Sequence, residues 1–210
     1  MGVTKTKEKA ILAATRRLFF RNGYQSTSMD AIAREANVTK QTIYSYFKNK
    51  DALFTRFIQL QCEKHAPKME SLLSEETSVK EGLQKIAISF LEMISSKEGV
   101  ETSKLVLLEA KRRPKLAKLF YETGPLKMNE LLSDYLRKKN LKGEIKVENP
   151  ESASSYFFAM LKGRYHLKLA LNIKPAPTKE SILEHIDETV QIFCRMFDPK
   201  DPLITNDLLF

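Results

Sequence analysis

Apolar residues recur every three to four positions along most of this chain. In the first segment, residues 5–22, they include Ile11, Ala14 and Leu18. This spacing places them on one face of a helix. Gly23 follows directly, where a residue with positive φ commonly ends a helix. No stretch of alternating apolar and polar residues predicts a strand, so the pattern predicts an all-α fold.

Side chains that cap helices predict where the later helices begin. The predicted N-cap positions, in chain order, are Ser28 or Thr27, Thr39, Asn49, Ser78 and Asn149. The third helix is short and ends near residue 46, and the fourth, residues 49–66, ends at a proline. Longer helices are predicted at about 79–96, 101–112, 115–123, 125–140, 150–172 and 179–197. The expected organisation is a three-helix domain over residues 1–48 and a larger helical bundle over residues 49–210, connected by helix 49–66.

Charge separates the two predicted parts. Residues 1–66 hold 12 Lys/Arg against 5 Asp/Glu, a net +7, and residues 67–210 hold 23 against 21, a net +2. A basic region of this size points to a polyanion, most commonly nucleic acid. A well-solvated surface without such a partner is the alternative on charge alone.

The stretch NVTKQTIYSYFKNK, residues 37–50, combines a buried side with an unusual outer side. As a helix it buries Val38, Ile43 and Phe47, while its other side carries amide, ammonium, hydroxyl and phenol groups. Two helices joined by a short turn form a helix-turn-helix, whose second helix lies in the major groove of DNA. An apolar inner face with a polar outer face is what that position requires.

The outer face supplies candidate contacts to both bases and phosphates. Lys40, Gln41 and Tyr44 are predicted to face the bases, since glutamine pairs with adenine and lysine reaches guanine. Hydroxyl and ammonium groups at the helix ends suit phosphate oxygens. Taken alone, each tyrosine fits equally well as a half-buried ring with its hydroxyl in water. The complete predicted DNA-contacting set is Thr27, Ser28, Thr39, Lys40, Gln41, Thr42, Tyr44, Tyr46 and Lys50.

The segment GYQSTSMDAIAREANVTKQTIYSYFKNKDALF resembles the DNA-binding domain of the TetR family of bacterial repressors, over about residues 8–57. LLEAKRRPKLAKLFYETGP and YFFAMLKGRYHLKLAL are similar to the subset related to the AcrR and AefR repressors. The resemblance implies base contacts from Lys40, Gln41 and Tyr44, and phosphate contacts from Thr42, Tyr46 and Lys50. It further implies a homodimer, a small-molecule effector and repression of transcription.

The last two long helices are expected to form the dimer contact, because one helix-turn-helix covers only part of a DNA site. Helix 150–172 is apolar nearly all round, so it must be covered on both sides. Burial wholly within one chain is the alternative. The predicted interface residues are Tyr156, Phe157, Met160, Leu167, Ile186, Val190, Phe193 and Phe197.

An effector pocket among the middle helices is implied by the resemblance. Plain core packing is the competing interpretation for its apolar members. Arg164 and His166 either orient a polar ligand group, extend to solvent or bond to a nearby carbonyl. The predicted lining residues are Phe90, Met93, Phe120, Met128, Met160, Arg164 and Tyr165.

Catalytic chemistry has little support in this sequence. Its three histidines lack metal-ligand spacing, its two cysteines form no C-x-x-C pair, and no phosphate-binding glycine loop is present. We therefore expect no enzyme activity, no cofactor and no metal. The polar start and the lack of a long apolar run predict a cytoplasmic protein with no membrane partner, which binds a double-stranded DNA operator. Alternatives are a DNA-associated structural protein without a ligand switch and an enzyme with an unfamiliar site.

Overall fold

The computed structural model describes residues 2–64, 71–73, 76–173 and 177–198, with side chains from residue 6 onward. The predicted end of the fourth helix at residue 66 lies outside these residues. The fold is all-α, as the sequence predicts, and the described residues contain no strand. The helices are α1 Gly2–Asn22, α2 Met29–Glu35, α3 Lys40–Tyr46, α4 Lys50–Glu63, α5 Val79–Ser95, α6 Lys97–Glu109, α7 Pro114–Tyr121, α8 Lys127–Leu141, α9 Pro150–Gly163, α10 His166–Ala170 and α11 Lys179–Met196.

Local capping sets most of these boundaries. Ser28, rather than Thr27, caps α2, since its hydroxyl accepts a hydrogen bond from the Ala31 amide. The predicted caps Thr39, Asn49, Ser78 and Asn149 are likewise confirmed. Gly23 has the predicted positive φ of 75°, a conformation that costs glycine little.

Two helices differ from the prediction. The helix expected over residues 150–172 ends at Gly163, and α10 follows after a turn. Glycine weakens a helix at that point, and the Tyr165 hydroxyl in the turn donates to the Ser181 carbonyl at 2.9 Å. The Gly124–Pro125 pair, predicted to interrupt the helical chain, leaves no non-helical gap between α7 and α8. It lies in a wide π-type turn, Glu122–Leu126, between α7 and α8.

The chain forms two compact units. The first contains Met1–Lys64 and Glu101–Thr123, so it extends past the predicted boundary at residue 48. The cause is apolar burial: α4 contributes Phe54 and Phe57 to the core around Phe19, and later segments contribute Leu105 and Leu116. The predicted boundary at residue 48, which separates a DNA-binding part from a ligand-binding part, therefore does not coincide with the boundary of the packed unit. The assignment of these functions to the two parts remains a prediction.

The second unit contains His65–Val100 and Gly124–Phe210. Its core is formed by α5, α8, α9 and α11, with rings such as Phe157 and Phe193 at 5.1 Å between centroids. Cys62 and Cys194 are both free thiols and are partly buried.

Gly82 on α5 gives the first testable prediction. A Cβ placed there would lie 2.3 Å from the Tyr135 hydroxyl oxygen and 2.7 Å from its Cζ, and Tyr135 is buried. Gly82→Ala is expected to lower the free energy of unfolding by about 1–3 kcal/mol, because an overpacked core must shift its side chains. Urea unfolding followed by circular dichroism measures this value.

Gly163→Ala is the matched control for that measurement. Gly163 is also helical, but nothing lies within 4 Å of the Cβ that would be added. Alanine is expected to stabilise the protein there by about 0.5–1 kcal/mol through its better helix propensity. Equal changes in the two variants would contradict the clash at Tyr135.

Candidate nucleic-acid interface

Helices α2 and α3 are joined by a tight turn that fixes their mutual orientation. Asn37 in this turn has a φ of 53°, a left-handed conformation that asparagine tolerates better than most residues. The Val38 amide donates to the Ala33 carbonyl at 3.0 Å, which ties the turn back to α2. Ile32 and Ile43 are fully buried against the same core. The arrangement is a helix-turn-helix with the inner face of α3 anchored by one isoleucine.

The outer face of α3 is open to solvent, as the sequence predicts. Gln41 is exposed and Tyr44 is 44% exposed. The Lys40 ammonium forms an ion pair with Asp30 of α2 at 2.9 Å. Both partners are largely exposed, so this pair contributes at most about 1 kcal/mol and leaves Lys40 available to another anion.

Hydroxyl groups line an open groove beside α3. Ser28 and Thr39 occupy the N-termini of α2 and α3, where backbone N–H groups favour an anion. The groove has a volume of about 420 Å³. Its lining residues are Gln25, Ser26, Thr27, Ser28, Met29, Asp30, Lys40, Tyr44, Asn49 and Lys50.

Thr27 does not fit its predicted phosphate contact. It is 1% exposed, and its hydroxyl donates inward, to the Gly23 carbonyl at 2.8 Å and the Leu18 carbonyl at 3.3 Å. The side chain therefore closes the turn between α1 and α2. The Ser-Thr-Ser sequence does not indicate which of its hydroxyls is buried, because burial there depends on the packing of the turn.

Lys50 is also directed inward rather than at a phosphate. Its ammonium donates to the carbonyls of Tyr24 at 2.9 Å, Gln25 at 3.3 Å and Thr27 at 2.8 Å. It also lies over the Tyr24 ring, 4.2 Å from the centroid. Burial lowers the pKa of this ammonium. Because three carbonyls take up its three N–H donors, Lys50 positions the turn between α1 and α2 in this structure.

Thr42 and Tyr46 are both half-buried. The Thr42 hydroxyl lies 2.9 Å from that of Thr39, at the start of α3. The Tyr46 ring packs against the core of the first unit. Their phosphate contacts remain a prediction.

A cluster of polar groups around Tyr24 was not predicted from the sequence. The Arg113 guanidinium lies over the Tyr24 ring at 3.8 Å and donates from Nε to Asp51 at 2.6 Å. Asp51 also accepts a hydrogen bond from the Tyr24 hydroxyl at 2.7 Å. These bonds from Arg113 and Tyr24 lower the pKa of Asp51. Glu109 completes the cluster, since it pairs with Arg113 and accepts from Gln25 at 2.9 Å.

This cluster, named the Tyr24 cluster below, consists of Tyr24, Gln25, Asp51, Glu109 and Arg113. It joins the turn before α2 and the first turn of α4 to the segment that ends α6. Arg113 lies in the KRRPK segment, which is part of the region that resembles the family. No local sequence pattern links it to Asp51, which lies 62 positions earlier.

The structure also concentrates the positive charge. The first unit holds 18 Lys/Arg against 8 Asp/Glu, a net +10, and the second holds 17 against 18, a net −1. The whole excess of the chain thus lies in the unit that carries the helix-turn-helix. The separation is sharper than the sequence division at residue 66, because residues 101–123 add six basic side chains to that unit.

The predicted dimer residues fall into three groups by exposure. Phe157, Ile186, Val190 and Phe193 are at most 3% exposed, so the core of their own chain covers them and they offer no surface to a second copy. Met160 and Phe197 are half-buried against that core. Tyr156 and Leu167 are exposed. Further exposed apolar residues on α11, which the prediction missed, are Leu183, Ile192 and Met196.

The predicted effector residues are not all brought together. Phe90, Met93, Met128 and Met160 belong to the core cluster of the second unit, whereas Phe120 packs in the core of the first. Arg164 forms a surface ion pair with Glu188 at 3.1 Å. The hydroxyl of Tyr165 is occupied by its bond to α11. Four apolar residues of the predicted effector pocket therefore lie together in the second unit. The two polar residues predicted for the pocket, Arg164 and Tyr165, instead bond to α11.

Fold, exposed second helix and charge together define a helix-turn-helix DNA-binding protein. The chain matches two family descriptions, "Bacterial regulatory proteins, tetR family" over residues 11–57 and "AefR-like transcriptional repressor, C-terminal domain" over residues 81–199. It belongs to the TetR family of DNA-binding transcriptional regulators, in the branch with an AefR-like C-terminal domain.

Relatives of similar length support this assignment. The uncharacterized HTH-type transcriptional regulator YvkB of Bacillus subtilis is 29% identical over 182 residues, which cover 84% of this chain and 91% of that protein. The crystal structure of a TetR-family regulator from Mesorhizobium loti has a TM-score of 0.86 at 26% identity and covers 94% of this chain and 99% of its own. The flavonoid-responsive regulator FrrA has a TM-score of 0.77 at 29% identity and covers 93% and 98%. Within the described residues, no helix has the length and apolar character needed to cross a bilayer.

Proposed function

We propose that this protein is a transcriptional repressor that binds a pseudo-palindromic operator as a homodimer and releases it when a small apolar or amphipathic effector binds. The open outer face of α3 is the observation that carries the proposal. Gln41 and Tyr44 project from a helix whose opposite side is anchored by the buried Ile43. A major groove admits one such helix and presents hydrogen-bonding base edges to it.

Phosphate contacts are proposed for the ends of the same two helices. Ser28 and Thr39 place hydroxyls beside N-terminal N–H groups, while the exposed ammonium of Lys40 is proposed to face the bases. The net charge of +10 on this unit favours approach to any duplex. Base-facing residues then select among sequences. With DNA as its partner, the protein acts in the cytoplasm.

Homodimer formation is proposed through the exposed apolar side chains of the second unit. Tyr156 on α9 and Ile192 and Met196 on α11 are each about half exposed. Large apolar groups of this kind gain stability when a second copy covers them. A two-fold dimer would present two reading helices to two half-sites one helical turn apart.

Effector release is proposed from the family relationship. One similar structure is that of a flavonoid-responsive regulator, and the second unit offers methionine and phenylalanine side chains in its core. A coupling of about 1–3 kcal/mol between effector and operator would change operator affinity by about 5–150-fold.

Gln41→Ala and Tyr44→Ala are expected to reduce the preference for the operator over a scrambled duplex. Each good base contact contributes about 1–3 kcal/mol of discrimination. The operator is first obtained by selecting bound duplexes from random DNA, and fluorescence anisotropy at fixed salt then gives both affinities. Folding is checked by circular dichroism.

Exposed residues of the same types away from α3 serve as controls. Tyr121→Ala removes a phenol that is 54% exposed on α7, and Gln191→Ala removes an exposed amide on α11. Both are expected to keep the wild-type preference. An unchanged preference in the α3 variants would contradict the base-contact role of this face. Effector release is tested separately, by repeating the operator measurement with pooled cell metabolites. If no metabolite changes the operator affinity, the protein binds DNA without an effector switch.

A further inference from the structure

Two basic side chains stand in apolar surroundings where α9 ends and α10 begins. Lys162 lies in the last turn of α9, and its ammonium is 5.7 Å from the centroid of the Phe90 ring on α5. Burial lowers the pKa of this ammonium, and no carboxylate offsets the effect. A weak contact with one ring is a poor replacement for the water that the cation has lost.

His166, four positions later, has a polar atom without a partner. Its Nδ1 is buried and forms no hydrogen bond with any described residue. The pKa of the imidazole is lowered, first by burial and then by the positive charge of Lys162. The two groups are therefore near enough to influence each other, and the lowered pKa favours the neutral form of the ring.

Among the described residues of the second unit, the other buried polar side-chain atoms have hydrogen-bond partners within the protein. Lys139 on α8 is even more buried, at 1% exposure, but its ammonium pairs with Glu144 at 2.9 Å. Arg164, between the two residues in question, pairs with Glu188 at the surface. Lys162 and His166 differ because no such counter-charge faces them among the described residues.

A partly buried cation without a counter-charge and a buried ring nitrogen without a hydrogen-bond partner both oppose folding. Groups of this kind are concentrated at functional sites, where a ligand supplies the missing partner. A carboxylate has acceptors for both an ammonium and an imidazole N–H, and bonds to charged donors are the strong ones. An apolar chain attached to it would meet Phe90 and the half-buried Met93 of the same helix.

We propose that Lys162 and His166 bind the carboxylate head of an amphipathic effector whose apolar part packs against α5. The inference rests on the effector response proposed above and defines its chemical class. It assigns His166 and Lys162, rather than Arg164 and Tyr165, as the polar contacts of the ligand.

Decanoate and 1-decanol are suitable probes, because they share an apolar chain and differ in the charge of the head group. Isothermal titration of the wild-type full-length chain is expected to give a dissociation constant for decanoate at least about 10-fold lower than for 1-decanol. Lys162→Met and His166→Leu are expected to remove this difference while retaining the affinity for 1-decanol. Lys168→Met changes an exposed lysine on α10 and is expected to behave as wild type.

Thermal unfolding without any probe separates a binding role from a structural one. Lys162→Met is expected to raise Tm by about 2–4 °C, since it replaces a partly buried cation without a counter-charge by an apolar side chain of similar length. A lysine kept for structure would lower Tm when replaced.

The proposal is overturned if wild-type protein binds neither probe or both equally. It is also overturned if the preference for decanoate survives in Lys162→Met, or if that variant has a lowered Tm. Anisotropy with the selected operator is measured on the same samples. Decanoate that binds through Lys162 yet leaves operator affinity unchanged would support the anion site and contradict the effector response, so the two failures are distinguishable.

Discussion

Arg113→Ala is expected to lower the free energy of unfolding by about 3 kcal/mol, one of the two largest effects of a single substitution in this protein. The Glu109 carboxylate that pairs with Arg113 is only 6% exposed, so truncation leaves a buried charge that retains Gln25 as its partner. Breaking a buried pair from one side costs about 3–5 kcal/mol. The substitution also removes the guanidinium from the Tyr24 ring.

Arg112→Ala provides a control at the neighbouring position. Arg112 is exposed, and its replacement is expected to change the free energy of unfolding by no more than about 0.5 kcal/mol. Urea unfolding at pH 7 compares the two variants. Arg113→Lys is expected to lose less stability than Arg113→Ala, because an ammonium still offsets the Glu109 charge but lacks the planar group that stacks on a ring and bonds two carboxylates. Similar small losses for Arg112→Ala and Arg113→Ala would contradict the role assigned to the Tyr24 cluster.

The Tyr24 cluster also bears on DNA binding. It fixes the turn that carries Ser26 and Ser28 and the first turn of α4, both of which border the groove beside α3. Arg113 belongs to the segment between α6 and α7, far along the chain from the reading helix. A change in the position of that segment would therefore also displace the turn that carries the proposed phosphate contacts, because hydrogen bonds join Arg113 to Asp51 and Asp51 to Tyr24.

Features of this fold that depend on neighbouring residues were predictable from the sequence. Caps such as Ser28 and Thr39 act on amides three residues away, so composition and spacing reveal them. The outer face of α3 was predictable for a similar reason, since the position of Ile43 fixes which side of a short helix is buried.

Features that depend on long-range packing were not predictable. The carbonyls that accept from Lys50 lie 23 to 26 residues earlier, and no spacing rule connects them. Apolar periodicity likewise does not distinguish a stripe buried in its own chain from one that faces a second copy. Phe157 and Phe193 are buried in their own chain, while Ile192, adjacent in sequence to Phe193, is 51% exposed and is available for the proposed dimer contact.

Lys50→Met is the second substitution with a large expected effect, and here sequence and structure predict different results. The family resemblance assigns Lys50 to a phosphate, in which case its loss would flatten the salt dependence of DNA binding by about 0.9 per contact. In the structure its ammonium instead bonds three carbonyls of the turn between α1 and α2. Hydrogen bonds to a charged group contribute about 1.5–3 kcal/mol, so we expect a loss of about 2–3 kcal/mol in unfolding free energy.

The same geometry predicts weaker binding to every duplex with an unchanged salt slope, because Lys50→Met loosens the turn beneath Ser26 and Ser28 without removing a phosphate contact. Urea unfolding and anisotropy across a salt series measure the two quantities. Lys48→Met is the control for stability, since Lys48 is exposed at the turn before α4. If Lys50→Met has wild-type stability and a flattened salt slope, the phosphate contact implied by the family resemblance is supported instead. A destabilised protein with an unflattened slope would instead identify Lys50 as the residue that holds the turn in place for DNA.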